Sequence, residues 1–133
     1  MGLSKGAVQE PTTEALPPGV VLPQIDFETE RLTVVVLFNG PRRAEYSGQA
    51  AQQLANDHVQ YVIGLANQGQ LLAAGALIDE ADQRLTGLGF SRLAPEELRP
   101  LVAKDPAIVA GMEDFKIVTY ALPKGTIDFP RRG

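Results

Sequence analysis

The run Leu32-Thr33-Val34-Val35-Val36-Leu37-Phe38 constrains this chain more than any other segment. It is apolar or β-branched at every position, the pattern of a strand covered on both faces rather than one lying half in water. Asn39-Gly40-Pro41 ends it with turn chemistry. Any fold for the chain must therefore place an inner strand here and supply cover above and below it.

The rest of the chain supplies most of that cover. Residues from about Ser47 to Asn67 repeat at helical spacing, with Ser47 as the expected N-cap and Gly69 as the stop. Ala51, Leu54, His58, Tyr61, Val62 and Leu65 fall on one arc; Gln52, Gln53, Asn56, Asp57 and Gln60 fall opposite. Gln70 to Ile78 reads as a second strand. Leu85 to Phe90 reads as a third, with Leu85, Gly87 and Gly89 on one face and Thr86, Leu88 and Phe90 on the other. Ala94-Pro95-Glu96-Glu97 opens a second helix, which Pro100 strains and Asp105-Pro106 ends. After a short turn at Ala107 to Gly111, Met112 to Leu122 alternates as the last strand.

The order β-α-β-β-α-β predicts an α+β, ferredoxin-like domain: a four-stranded antiparallel sheet with two helices on one face. The other face is apolar in the first strand and at Val118, Tyr120 and Leu122, so a homodimer packed sheet to sheet is expected. The domain is expected over residues 29–125. Residues 1–28, with Pro11, Pro17, Pro18 and Pro23, read as an extended or flexible arm in which Val20-Val21-Leu22 can dock as an edge strand. Residues 126–133 read as a tail.

Composition narrows the function. The 133 residues carry 16 acids and 12 bases, a net charge of −4 that repels phosphate backbones, so no nucleic-acid partner is expected. No stretch approaches the roughly 20 apolar residues that span a bilayer, and no signal peptide is apparent, which makes the cytoplasm the default location and a membrane partner unexpected. The absence of cysteine excludes thiolate metal sites, and a single histidine excludes a two-histidine site within one chain. Gly87-Leu88-Gly89 lacks the third glycine of a dinucleotide fingerprint. Asp79, Glu80 and Asp82 read as a solvated turn rather than a cation loop.

His58 is the candidate for chemistry. It sits near the centre of the apolar arc and points toward the sheet. Position alone describes a structural core histidine. A partly buried imidazole with one carboxylate is also how a general base near neutral pH is made. Asp57, Asp79, Asp82 and Asp105 are the candidate partners. Asp57 points about 100° away on the helix. Asp105 lies where the two helices can meet, although by position it reads first as a helix-terminating residue with a solvated side chain. Arg42, Arg43, Arg84 and Arg92 are candidates to hold an anionic substrate.

The helix histidine, Gly69-Gln70-Leu71-Leu72-Ala73-Ala74-Gly75 and Lys104-Asp105-Pro106-Ala107-Ile108-Val109-Ala110-Gly111 together resemble YciI-like proteins. The resemblance spans about Leu32 to Leu122. It implies a ferredoxin-like subunit of a dimeric α+β barrel, an architecture shared with muconolactone isomerase, and an active site at a His–Asp pair that maps onto His58 and Asp105. It also implies cofactor-free proton abstraction from a small cyclic or aromatic substrate, as in dehydrochlorination of a chlorinated hydroxyhydroquinone. Ala76 stands where that pattern has proline, and Ala107 where it has an aromatic, which is expected to reshape a pocket. The alternative is a non-catalytic small-molecule-binding or interaction module of the same fold.

Overall fold

A computed structural model describes residues 17–21, 27–78 and 84–128. The elements run β1 (Thr29–Asn39), a 3-10 turn (Arg43–Glu45), α1 (Gly48–Asn67), β2 (Ala73–Ala76), β3 (Leu85–Ser91), α2 (Pro95–Val102), α3 (Pro106–Val109) and β4 (Glu113–Pro123). The sheet order is β2-β3-β1-β4, and β3 runs antiparallel to both β1 and β2. This is the ferredoxin-like α+β arrangement.

Two compact units divide the chain. In the smaller, residues 27–31 and 121–128 are tied together: Lys124 N–H donates to the Glu28 carbonyl (2.9 Å), and Gly125 N–H donates to Glu30 Oε2 (3.2 Å). Also in this unit, Val20 and Val21 belong to no strand and are exposed; Leu22 lies outside the described residues. So do Asp79, Glu80 and Asp82.

The larger unit, residues 32–120, holds the core. Val35, Leu37, Phe115 and Ile117 of the sheet meet Tyr61, Val62 and Leu65 of α1 and Leu98, Leu101 and Val102 of α2. Both helices thus cover one face. On the other face Leu32 and Val34 are buried, and Phe90 lies against Tyr120 with ring centroids 6.2 Å apart. Val118 and Tyr120 stay exposed there.

Local chemistry explains the element ends. At the end of α1, Gly69 adopts φ 78°, its N–H bonds the Ala66 carbonyl, and the Gln70 N–H bonds the Leu65 carbonyl; this is a Schellman closure. Ser47 occupies the N-cap position, but its hydroxyl caps nothing, contrary to expectation. The second strand is shorter than Gln70 to Ile78. Only Ala73–Ala76 is strand; Leu71 is buried in the core and Ile78 is exposed. Pro100 is accommodated inside α2, which ends two residues later. Gly40 is needed for close approach: a Cβ there would lie 2.3 Å from the Gly111 carbonyl oxygen.

Candidate active site

Asp105 is placed by its own local structure. With Pro106 at the first helical position, it is the N-cap of α3, and its Oδ1 accepts the Ala107 N–H at 2.9 Å. That cap turns the second carboxylate oxygen toward α1, which packs against α3. There His58 Nδ1 lies 2.5 Å from Asp105 Oδ2. Asp105 is only 3% exposed, so the solvated helix-stop reading is corrected: the cap and the histidine hold it inside. Asp57, the neighbour in sequence, instead accepts from Gln53 on the outer surface.

A carboxylate only accepts, so the short contact requires Nδ1 to carry the proton. Nε2 is then the ring's free lone pair, and it takes no hydrogen bond from the described residues. The His58 side chain is 23% exposed, neither sealed in hydrocarbon nor free in water. The Asp105 hydrogen bond raises its pKa above the ordinary 6.5. Burial opposes this, and the charges of Asp105 and Glu113 add to it.

Beside the pair is a cavity of about 730 Å³ between α1 and the sheet. His58, Tyr61 and Val62 line its helix side, and Val35, Leu37 and Leu71 its inner wall. Ala74, Gly75, Ala76, Gly87 and Gly89 line it too, and their small size leaves the volume open. At Gly87 a Cβ would crowd the Gly75 carbonyl at 3.1 Å and Leu37 at 3.2 Å. Ala107 is fully buried and absent from the cavity wall.

A second polar group lines the same cavity. Arg43 Nη1 donates to Glu113 Oε2 (2.8 Å), and Thr86 Oγ1 donates to Glu113 Oε1 (2.6 Å). Strict alternation assigned Thr86 to the far face with Leu88 and Phe90. The register explains its real position: Leu37 pairs with Gly87 but Phe38 pairs with Leu85, so Thr86 is the extra residue of a β-bulge. Bulges re-aim side chains in this way. Of the four candidate arginines only Arg43 lines the cavity; Arg42 pairs with Glu45 on the surface.

No protein-family model matches the chain, and no curated protein sequence does. Several solved structures are weakly similar to it. One is the 5-chloro-2-hydroxyhydroquinone dehydrochlorinase TftG from Burkholderia phenoliruptrix AC1100, in complex with 2,5-dihydroxybenzoquinone. It is 12% identical, with a TM-score of 0.46 over 65% of this chain and 90% of that one. Another is SnoaB from Streptomyces nogalater, a cofactor-independent oxygenase, 10% identical with a TM-score of 0.42 over 73% of this chain and 96% of that one. A de novo designed protein, Ferredog-Diesel, gives 12% and 0.39 over 77% and 98%.

Among the described residues no three His, Asp or Glu side chains are grouped to hold a metal ion, and no helix is long and apolar enough to cross a membrane. The arrangement can move a proton: an imidazole held by a buried carboxylate lines a largely apolar space. It also links stability to pH. Because the folded pKa of His58 is raised, its stabilising contribution is complete below about 6.5 and fades as pH rises through the higher folded value. Urea unfolding across pH 5.5 to 9 is expected to show stability declining through this window in the native protein, with that decline absent in His58→Gln.

Proposed function

We propose that this chain is a small cofactor-independent enzyme of YciI-like type, a lyase or isomerase, in which His58 is the general base and Asp105 its orienting carboxylate. The observation that carries the reading is the Nδ1–Oδ2 contact at 2.5 Å on the wall of the cavity. His58 Nε2 takes a proton from carbon beside a carbonyl of a small cyclic or aromatic substrate. The electron pair left behind moves into the carbonyl to give an enolate. Return of the proton at another carbon completes an isomerisation; departure of a leaving group with its electron pair completes an elimination. The cavity's volume admits one or two rings, and its largely apolar walls disfavour water.

The functional unit is a homodimer, joined through the face carrying Val36, Leu88, Phe90, Val118 and Tyr120. That face is apolar, opposite the helices, and still exposed at Val118 and Tyr120.

Carbon-bound hydrogen exchange into D2O, followed by NMR with 2-tetralone and cyclohexanone as probes, tests the proton transfer. The native protein is expected to accelerate exchange beyond buffer at matched pH. Acceleration of neither ketone, or equal acceleration by His58→Gln, overturns the proposal and leaves the non-catalytic module.

A further inference from the structure

The polar group that shares the cavity with the His–Asp pair has a direction built into it. Glu113 is a carboxylate with an 11% exposed side chain, and both its oxygens are engaged, one by Arg43 and one by Thr86. Since the carboxylate cannot donate, the Thr86 hydroxyl hydrogen is committed to it. What Thr86 has left to offer the cavity is lone pairs. The Arg43 charge is already balanced by Glu113, and that of a protonated His58 by Asp105. An incoming carboxylate would meet two fixed carboxylates and no unbalanced cation. A neutral ligand with an O–H or N–H meets an acceptor whose own hydrogen is tied down.

We infer that Thr86, polarised by the Arg43–Glu113 ion pair, is a specificity-determining residue that selects neutral ligands bearing an O–H or N–H donor and disfavours carboxylates. This deepens the proposed function and rests on that cavity being the substrate site. It reverses the expectation that arginines there recruit an anion. The β-bulge is what makes it available: without the extra residue, Thr86 would lie on the opposite face of the sheet. A donor missing from the ligand leaves the acceptor unpaired, and such losses discriminate more sharply than small differences of shape.

Three naphthalenes of one shape separate the terms: 2-naphthol (a donor), 2-methoxynaphthalene (an acceptor only) and 2-naphthoate (an anion). Binding is measured by fluorescence to the native full chain, Thr86→Val, Thr86→Ser and His58→Gln. Expected is about tenfold tighter binding of 2-naphthol than of its methyl ether by the native protein. That preference should persist in Thr86→Ser and His58→Gln and vanish in Thr86→Val, and 2-naphthoate should bind more weakly than 2-naphthol throughout. If Thr86→Val does not fold, a nuclear Overhauser contact between bound 2-naphthol and the Thr86 methyl in the native protein replaces it, and its absence counts against the inference. Equal binding of naphthol and ether, a preference that survives in Thr86→Val, tightest binding of naphthoate, or no binding of naphthol overturns it. These outcomes are independent of the exchange assay, so proton transfer can stand while Thr86 selectivity falls, and the reverse.

Discussion

His58→Gln is expected to lower the catalysed exchange by roughly 10²–10⁴-fold while leaving a folded protein, the range a positioned general base contributes. The choice of glutamine matters. Its amide N–H₂ can still donate to Asp105 Oδ2, so the buried carboxylate keeps a partner, but no basic lone pair replaces Nε2. His58→Ala removes the partner as well and is expected to cost about 1–3 kcal/mol from the unpaired acid. Comparing the two by exchange rate and urea midpoint separates chemistry from folding. A Gln variant that is stable and fully active would contradict the assigned role.

Asp105→Ala is expected to have the largest effect on stability, about 2–4 kcal/mol. It removes the cap of α3 and leaves the Ala107 N–H without its acceptor in a buried site. It also frees the imidazole to turn, so activity falls with stability. Asp105→Asn separates the two losses. The amide oxygen can keep the Ala107 N–H, and asparagine is a good N-cap, so the fold should be nearly as stable. The amide nitrogen would then face Nδ1 and donate to it, which moves the ring proton to Nε2 and abolishes the base. A stable Asn variant with exchange reduced to the His58→Gln level is the expected result. An Asn variant as active as the native protein would show that Asp105 does no more than cap.

The scaffold was largely readable because its signals are local. The β-branched run at Leu32 to Phe38 became the central part of β1, and Gly69 closed α1 by the mechanism its position suggested. What escaped depended on contacts distant in sequence. Asp105 looks like a solvated helix stop until α1 is packed against α3, since nothing local says that its second oxygen is buried. Thr86 was assigned to the wrong face because period-two counting assumes unbroken register, and the bulge is set by how β3 meets β1. Glu113 carries no local signal of a site at the start of the last strand. Its partners Arg43 and Thr86 lie 70 and 27 residues away. Gly87 and Gly89 of β3 read in sequence only as members of one strand face, whereas their lack of side chains leaves room for the cavity. Ser47 shows the converse error: a good capping residue in the right place whose hydroxyl the backbone does not use.

The proposed chemistry depends on the state of one imidazole. Because the chain has a single histidine, ¹⁵N-labelling of histidine gives ring signals that belong to His58 alone. A pH titration should find the neutral ring protonated at Nδ1, with Nε2 as the lone pair, and a midpoint above 6.5. Protonation at Nε2 in the neutral ring, or a midpoint at or below 6.5, would contradict it.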